Sequence, residues 1–297
     1  MASTLLQPDV LSKAEALGLQ ARHVVEGLRV GDHKSPFRGF SVEFVQHREY
    51  VPGDDIKHID WKSYGRSERY TIKQYEQETN FIGHLLVDGS NSMRYGDGSA
   101  NKMQYAKLLA ASLAYTVVKQ RDSAALRMFD SAWRAELPAS SQMGHVTAVC
   151  KMLEEAAPAE KTGMGQLLEE FADRVARRGV VFLISDCFDD LDELLRGLRH
   201  LRFRGHDVVV FHILHRDEFE FPLDGNIRFQ DLEGTEEVVT RPHLLRPAYL
   251  RIINAFMKDL ERGCDAARVD YVRMPTDRPL TAGLGEYLVR RLQRAKK

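Results

Sequence analysis

Residues 84–93 read His84-Leu85-Leu86-Val87-Asp88-Gly89-Ser90-Asn91-Ser92-Met93, a short apolar run that stops on Asp-x-Ser-x-Ser. A run of this length bounded by turn residues suits a buried strand. In an open α/β sheet, ligands collect beyond the carboxyl ends of the strands, which is where this loop falls. Asp88, Ser90 and Ser92 offer one carboxylate and two hydroxyls at alternate positions, hard oxygen donors suited to Mg2+ or Ca2+ with nothing soft among them. A second run, Val180 to Ile184, ends in Ser185-Asp186, so Asp186 reaches the same crevice if the two strands are neighbours. Thr162, ahead of a helix expected from Gly165, can add a further hydroxyl. The expected metal ligands are thus Asp88, Ser90, Ser92, Thr162 and Asp186, and the expected cofactor is Mg2+ or Mn2+.

Outward from this loop the chain keeps one rhythm. Apolar runs at His84–Val87, Ala124–Phe129, Val180–Ile184 and Val208–Leu214 alternate with helical stretches at Lys102–Gln120, Gln142–Glu155, Gly165–Arg177 and Leu191–Phe203. Strands spaced by helices pair in parallel through crossovers, which place helices on both faces. The expected fold class is α/β, a doubly wound and mostly parallel sheet. Lys102–Gln120 is apolar nearly all round and should pack deep against it. A last pair follows Pro247, with a helix over Ala248–Arg262 and a strand over Val269–Met274. Asn226–Thr240 reads as a hairpin about Glu233-Gly234.

Before Phe81 the pattern differs. Aromatics crowd residues 37–81, and Phe40, Val42 and Phe44 alternate with Ser41 and Glu43, as Tyr70 and Ile72 do with Thr71 and Lys73. This is period-two strand patterning, broken by the turn residues Pro52-Gly53-Asp54-Asp55. The expected organisation is a helical arm over 1–31, an aromatic β-rich subdomain over 32–80, the α/β domain over 81–279 with a hairpin insertion at 217–245, and a basic terminal helix over 280–297. Arg38, Arg48, Asp55, Asp60, Trp61, Lys62 and Arg66 form a candidate partner-binding surface, because Trp and Arg dominate interface hot spots. The alternative is a turn and short helix whose charges pair locally, with Trp61 anchoring the subdomain.

Among the 297 residues, 42 Lys and Arg face 43 Asp and Glu, so the net charge is -1 and no strong field is available for nucleic acid or a membrane surface. Leu108–Val118 contains Ser112 and Thr116 and is too short to span a bilayer. Cys150, Cys187 and Cys264 are scattered outside CxxC spacing, which argues against disulfides and zinc and for a reducing, cytoplasmic setting. No P-loop, GxSxG or HExxH motif occurs. His212 and His215 lack an evident third ligand, and Asp189, Asp190 and Asp192 suit the first turn of a helix.

The Asp-x-Ser-x-Ser loop, the threonine and the later aspartate resemble the metal-ion-dependent adhesion site of the von Willebrand factor A fold. The segment GFSVEFVQHREYVPGDDIKHIDWKSYGRSERYTIKQYEQETN (39–80) is similar to the one preceding that domain in the bacterial family known as domain of unknown function 58. RFQDLEGTEE (228–237) and Asp270-Tyr271-Val272 resemble the same family. The resemblance implies a chaperone-like adaptor acting with a MoxR-type AAA+ ATPase. Glu160-Lys161 stands where such domains often carry Gly-Gly, which makes Thr162 the weakest ligand. The expected function is a non-enzymatic, metal-dependent protein-binding module, whose cation takes an acidic residue of a partner in an open coordination position. Alternatives are a Mg2+-dependent phosphoester hydrolase using the same cluster, although position 90 is serine rather than the second aspartate of Asp-x-Asp, and a scaffold without metal.

Overall fold

The computed structural model describes residues 42–51, 59–67, 69–77, 82–158, 163–230, 237–280, 282–284 and 287. The chain divides into two units, one of residues 32–80 and one that carries the six-stranded sheet. The helical arm expected over 1–31, the turn at 52–55 and the basic end after residue 287 lie outside the described residues.

In the smaller unit, β1 (Val42–Glu49) pairs antiparallel with β2 (Thr71–Gln77), with the register shifting between Phe44 and Gln46, as a bulge does. Helix α1 (Trp61–Ser67) lies between them in sequence. Asp60 starts it: the buried carboxylate accepts from the amides of Lys62 (3.0 Å) and Ser63 (3.2 Å), a helix cap in the usual sense. Ile59 and Ile72 are buried, whereas Trp61 is 60% exposed. Trp61 is therefore not the anchor of this unit. Its ring instead meets Tyr64 edge-on at 6.2 Å, and Tyr64 stacks on Tyr70 at 4.4 Å.

The larger unit is built on β3 (Ile82–Asp88), β4 (Ser123–Phe129), β5 (Trp133–Ser140), β6 (Val180–Ser185), β7 (Asp207–Leu214) and β10 (Asp270–Pro275). Their order across the sheet is β10-β7-β6-β3-β4-β5, the open doubly wound order that reverses once, between β3 and β6. All pairs are parallel except β4 with β5. The edge strand β5 was not expected. Its residues alternate between half-buried and exposed, and it carries Pro138, which only an edge tolerates, so it lacks the continuous apolar run of its neighbours.

Both faces of the inner strands are covered. Leu85, Val87, Phe182, Ile184, Val209 and Phe211 pack toward α2 (Lys102–Lys119) and α3 (Met143–Glu155). Leu86, Val181, Leu183, Val208 and Val210 pack toward α4 (Met164–Arg174), α5 (Leu191–Phe203) and α7 (Pro242–Ala266). Gly165 and Gly197 let α4 and α5 touch: a Cβ on Gly165 would sit 2.6 Å from the Glu193 Cβ, and one on Gly197 2.9 Å from the Gly165 carbonyl oxygen. A short helix, α6 (Arg216–Phe219), follows β7, and β8 (Ile227–Gln230) pairs antiparallel with β9 (Glu237–Thr240).

Helix α7 begins five residues before Pro247 and runs through it, against the expectation of a start at Ala248. Pro242 at the first position presets the backbone, and Arg246 ties this turn down by donating to the carbonyls of Phe221 (2.9 Å) and Leu223 (3.0 Å). No described helix is long and apolar enough to cross a membrane. The three cysteines are free and buried.

His84 and His206 lie buried among the apolar side chains, His84 edge-on to Phe171 at 5.3 Å. Burial first, then the neighbouring His206 and Arg127, lowers the pKa of His84 to about 3. A depressed histidine favours the fold above its unfolded pKa of about 6.5 and gives that stability back as pH falls below it, by about 1.4 kcal/mol per pH unit. Urea denaturation from pH 7 to 4.5 should therefore show a shallower acid loss in His84→Phe than in the wild-type protein.

Candidate functional site

Strands β3 and β6 lie side by side where the sheet order reverses, and their crossovers leave in opposite directions, which opens a crevice at their carboxyl ends. β3 delivers Asp88 to this crevice and β6 delivers Ser185 with Asp186 just beyond. Asp88, Ser90, Ser185 and Asp186 are all fully buried.

The two carboxylates are joined by hydroxyls. Asp88 Oδ1 accepts from the Ser90 amide (2.8 Å), and Oδ2 accepts from the Ser185 hydroxyl (2.5 Å). Ser90 Oγ and Ser92 Oγ are 2.9 Å apart, and the Ser92 hydroxyl bonds in turn to Asp186. The loop is held from below by Met93, wholly buried in the core, and by Gly89, whose amide donates to the Phe129 carbonyl at 2.6 Å.

On the β6 side the backbone turns sharply. Cys187 adopts the left-handed region (φ 56°), a conformation that costs a non-glycine residue about 1 kcal/mol. The turn lets the Cys187 amide donate to Ser185 Oγ (2.8 Å) and the Phe188 amide to Asp186 Oδ1 (3.2 Å), which folds the Asp186 carboxylate back toward the crevice.

Asp186 Oδ2 receives the ammonium of Lys102 at 2.7 Å. That lysine, only 1% exposed, also contacts Glu218 Oε1 at 2.5 Å and lies over the Phe188 ring at 5.3 Å. Glu218 Oε2 accepts from the His215 amide at 2.7 Å. Burial lowers the pKa of Lys102, but Asp186 and Glu218 outweigh burial and hold it above its ordinary value. Burial raises Asp186, but Lys102 outweighs burial and holds the carboxyl below its ordinary value. Among the described residues no cation pairs with Asp88, and burial together with the charge of Asp186 pushes it up to about 7 against the hydrogen bonds from Ser185 and Ser90.

Of the five expected ligands, the structure brings Asp88, Ser90, Ser92 and Asp186 together. Thr162 lies outside the described residues, although its neighbour Gly163 donates to the Asp130 carbonyl (3.2 Å) at the end of β4. Among the described residues no three His, Cys, Asp or Glu side chains gather as a metal site, so the donors are two carboxylates and hydroxyls. Such a set fits a hard divalent cation of the Mg2+ type, which is commonly held by one or two carboxylates and keeps waters. Asp189 and Asp190 serve as helix caps, to Met164 of α4 at 2.7 Å and Glu193 of α5 at 3.0 Å. His212, fully buried with its Nδ1 2.6 Å from the Tyr271 hydroxyl, and His215, which caps α6, are accounted for by packing.

Of the expected partner-binding residues, Arg38 and Asp55 lie outside the described residues. Arg48 belongs to β1, and Asp60 is a cap rather than a surface group. Trp61, Lys62 and Arg66 are exposed on their own unit.

Sequence reasoning did not find Lys102, Ser185 or Glu218. A signal for Lys102 was available: a lysine at the first position of a mostly apolar helix opposes the helix dipole and needs carboxylates nearby. Glu218 carries no such mark.

A doubly wound sheet in this order, with an Asp-x-Ser-x-Ser loop at its reversal point, defines a von Willebrand factor A-like domain. The chain belongs to the DUF58 family (Protein of unknown function DUF58), which matches residues 46–255. It is 23% identical over 288 residues to the uncharacterized proteins Rv1480 of Mycobacterium tuberculosis and Mb1516 of Mycobacterium bovis, covering 96% of this chain and 90% of each relative.

Among solved structures, BatB of Bacteroides thetaiotaomicron is similar with a TM-score of 0.47 and 18% identity, over 73% of this chain and 98% of that one. The SpRpn10 VWA domain gives 0.41 and 12%, over 71% and 95%. The manganese-loaded TRAP protein of Plasmodium vivax gives 0.34 and 20%, over 44% and 56%.

A carboxylate whose folded pKa is raised favours the fold below its unfolded pKa and gives that stability back as pH rises toward 7. In metal-free buffer, Asp88→Asn should melt above the wild-type protein at pH 8, and the gap should close by pH 4. Thermal unfolding with chelator present measures both.

Proposed function

We propose that this protein is a non-enzymatic module that binds other proteins through Mg2+ or Mn2+ held by Asp88, Ser90, Ser92 and Asp186, with Thr162 as the fifth ligand. The observation that carries the reading is the hydrogen-bonded chain Asp88–Ser90–Ser92–Asp186 across the switch point, oxygen donors with one buried carboxyl that no cation among the described residues balances. When bound, the cation supplies charge neutralisation and an open coordination position for an acidic side chain of a partner. The residues themselves hold and orient it: Ser185 and the Ser90 amide fix Asp88, and the Phe188 amide fixes Asp186. The family resemblance supports a MoxR-type AAA+ ATPase as partner, with this chain acting as a cytoplasmic adaptor or co-chaperone.

Trp61, Lys62 and Arg66 offer that partner a second contact. The exposed Trp61 meets edge-on the Tyr64–Tyr70 stack, whose Tyr70 is also exposed, and aromatic and Arg side chains are the types that anchor interfaces.

Calorimetric titration should show Mn2+ binding that falls more than about a hundredfold in Asp88→Ala/Ser90→Ala, since even residues that only support metal ligands commonly cost 10–100-fold. Capture of the ATPase should require Mg2+ and be reversed by chelator; equal capture in both buffers would exclude a metal bridge. Trp61→Ala/Arg66→Ala should weaken capture about thirtyfold, the effect of a lost hot spot, with Mn2+ affinity unchanged.

A further inference from the structure

Lys102 is a costly residue where it stands. It opens α2, where the helix dipole disfavours a cation, and it is 1% exposed, so its ammonium is stripped of water. Buried ion pairs of this kind seldom stabilise a fold beyond what apolar residues of the same volume would give. Its contacts are specific all the same: Asp186 Oδ2 at 2.7 Å, Glu218 Oε1 at 2.5 Å and the Phe188 ring closing over it. The neighbouring acid Asp130 is already matched by Arg134, so it leaves the balance unchanged.

Among the described residues, Asp186 and Glu218 contact the Lys102 ammonium and Asp88 lies beside Asp186, so three carboxylates and one ammonium leave two negative charges when all four are ionised. We infer that Lys102 and Glu218 set the charge of this site to that of one divalent cation, Lys102 acting as a fixed positive charge against Asp186 and Glu218 restoring the negative charge that Lys102 removes. Lys102 is thus a specificity-determining residue that touches a ligand and not the ion. The inference rests on the divalent site proposed above, and it extends that reading from the ligands to the charge around them.

A structural role and an electrostatic role make opposite demands on the two partners. If the pair only braces Asp186, removing either partner loosens the carboxylate and weakens the ion. If the pair sets charge, removing the cation deepens the negative well and removing the acid makes it shallower. Unit charges a few ångströms apart in a protein interact strongly enough for either change to exceed about tenfold in affinity.

Mn2+ titration calorimetry on the full chain reads this directly. Lys102→Met should bind Mn2+ at least about tenfold more tightly than wild type and gain still more for Tb3+, which carries one further charge. Glu218→Gln should bind Mn2+ at least about tenfold more weakly, and Lys102→Met/Glu218→Gln, with the original charge, should return to within about threefold of wild type.

Weakening in both single variants, with no recovery in the double, would overturn the inference while leaving the metal site standing. No Mn2+ binding by the wild-type protein would sink the site itself and the inference with it. If Lys102→Met fails to fold, as circular dichroism would show, the loss in Glu218→Gln and the recovery in the double variant still decide the matter.

Discussion

Two carboxylates buried at the ends of adjacent parallel strands are the constraint on which this molecule turns. Asp88 and Asp186 meet because β3 and β6 pair directly where the sheet order reverses. Burying charge is expensive unless it is hydrogen-bonded or paired. Among the described residues the surroundings answer that cost unequally: Asp186 has an ammonium, a hydroxyl and an amide, while Asp88 has a hydroxyl and an amide but no positive charge. The asymmetry makes Asp88 the group that most needs a cation, and it shapes the functional reading.

The scaffold beneath holds these groups in place. The inner strands are covered on both faces, so their ends are fixed by packing rather than by loops. Gly83 brings α2 close to β3, because a Cβ there would lie 3.1 Å from Val117 Cγ2. The amide of Lys102 donates to the Tyr95 carbonyl at 3.0 Å, and Asn101 ties the loop to the carbonyls of Arg94 and Gly96, which together set where the lysine enters the site. A site built on such elements keeps its geometry before any ligand arrives.

Elements whose residues all obey one local rule were legible in the chain. The parallel strands are apolar runs because both faces are buried, and the helices between them keep one periodicity over many residues. Elements in mixed surroundings were not. β5 is an edge strand with alternating exposure and a proline, Pro247 lies inside α7 because Arg246 and Pro242 secure the turn before it, and Trp61, which the residues allowed either as a subdomain anchor or as a surface group, is exposed.

The amino-acid sequence alone determined the alternation of strands and helices and the four described oxygen-donor positions, because a run of apolar residues ending in Asp-x-Ser-x-Ser or Ser-Asp is a local pattern. Tertiary structure decided which of those ends became neighbours, and only it brought Lys102 and Glu218, 116 residues apart, onto the two sides of one ion pair. The physical reason is that charge balance in a buried crevice is a sum over every group within a few ångströms, and no stretch of chain contains that sum.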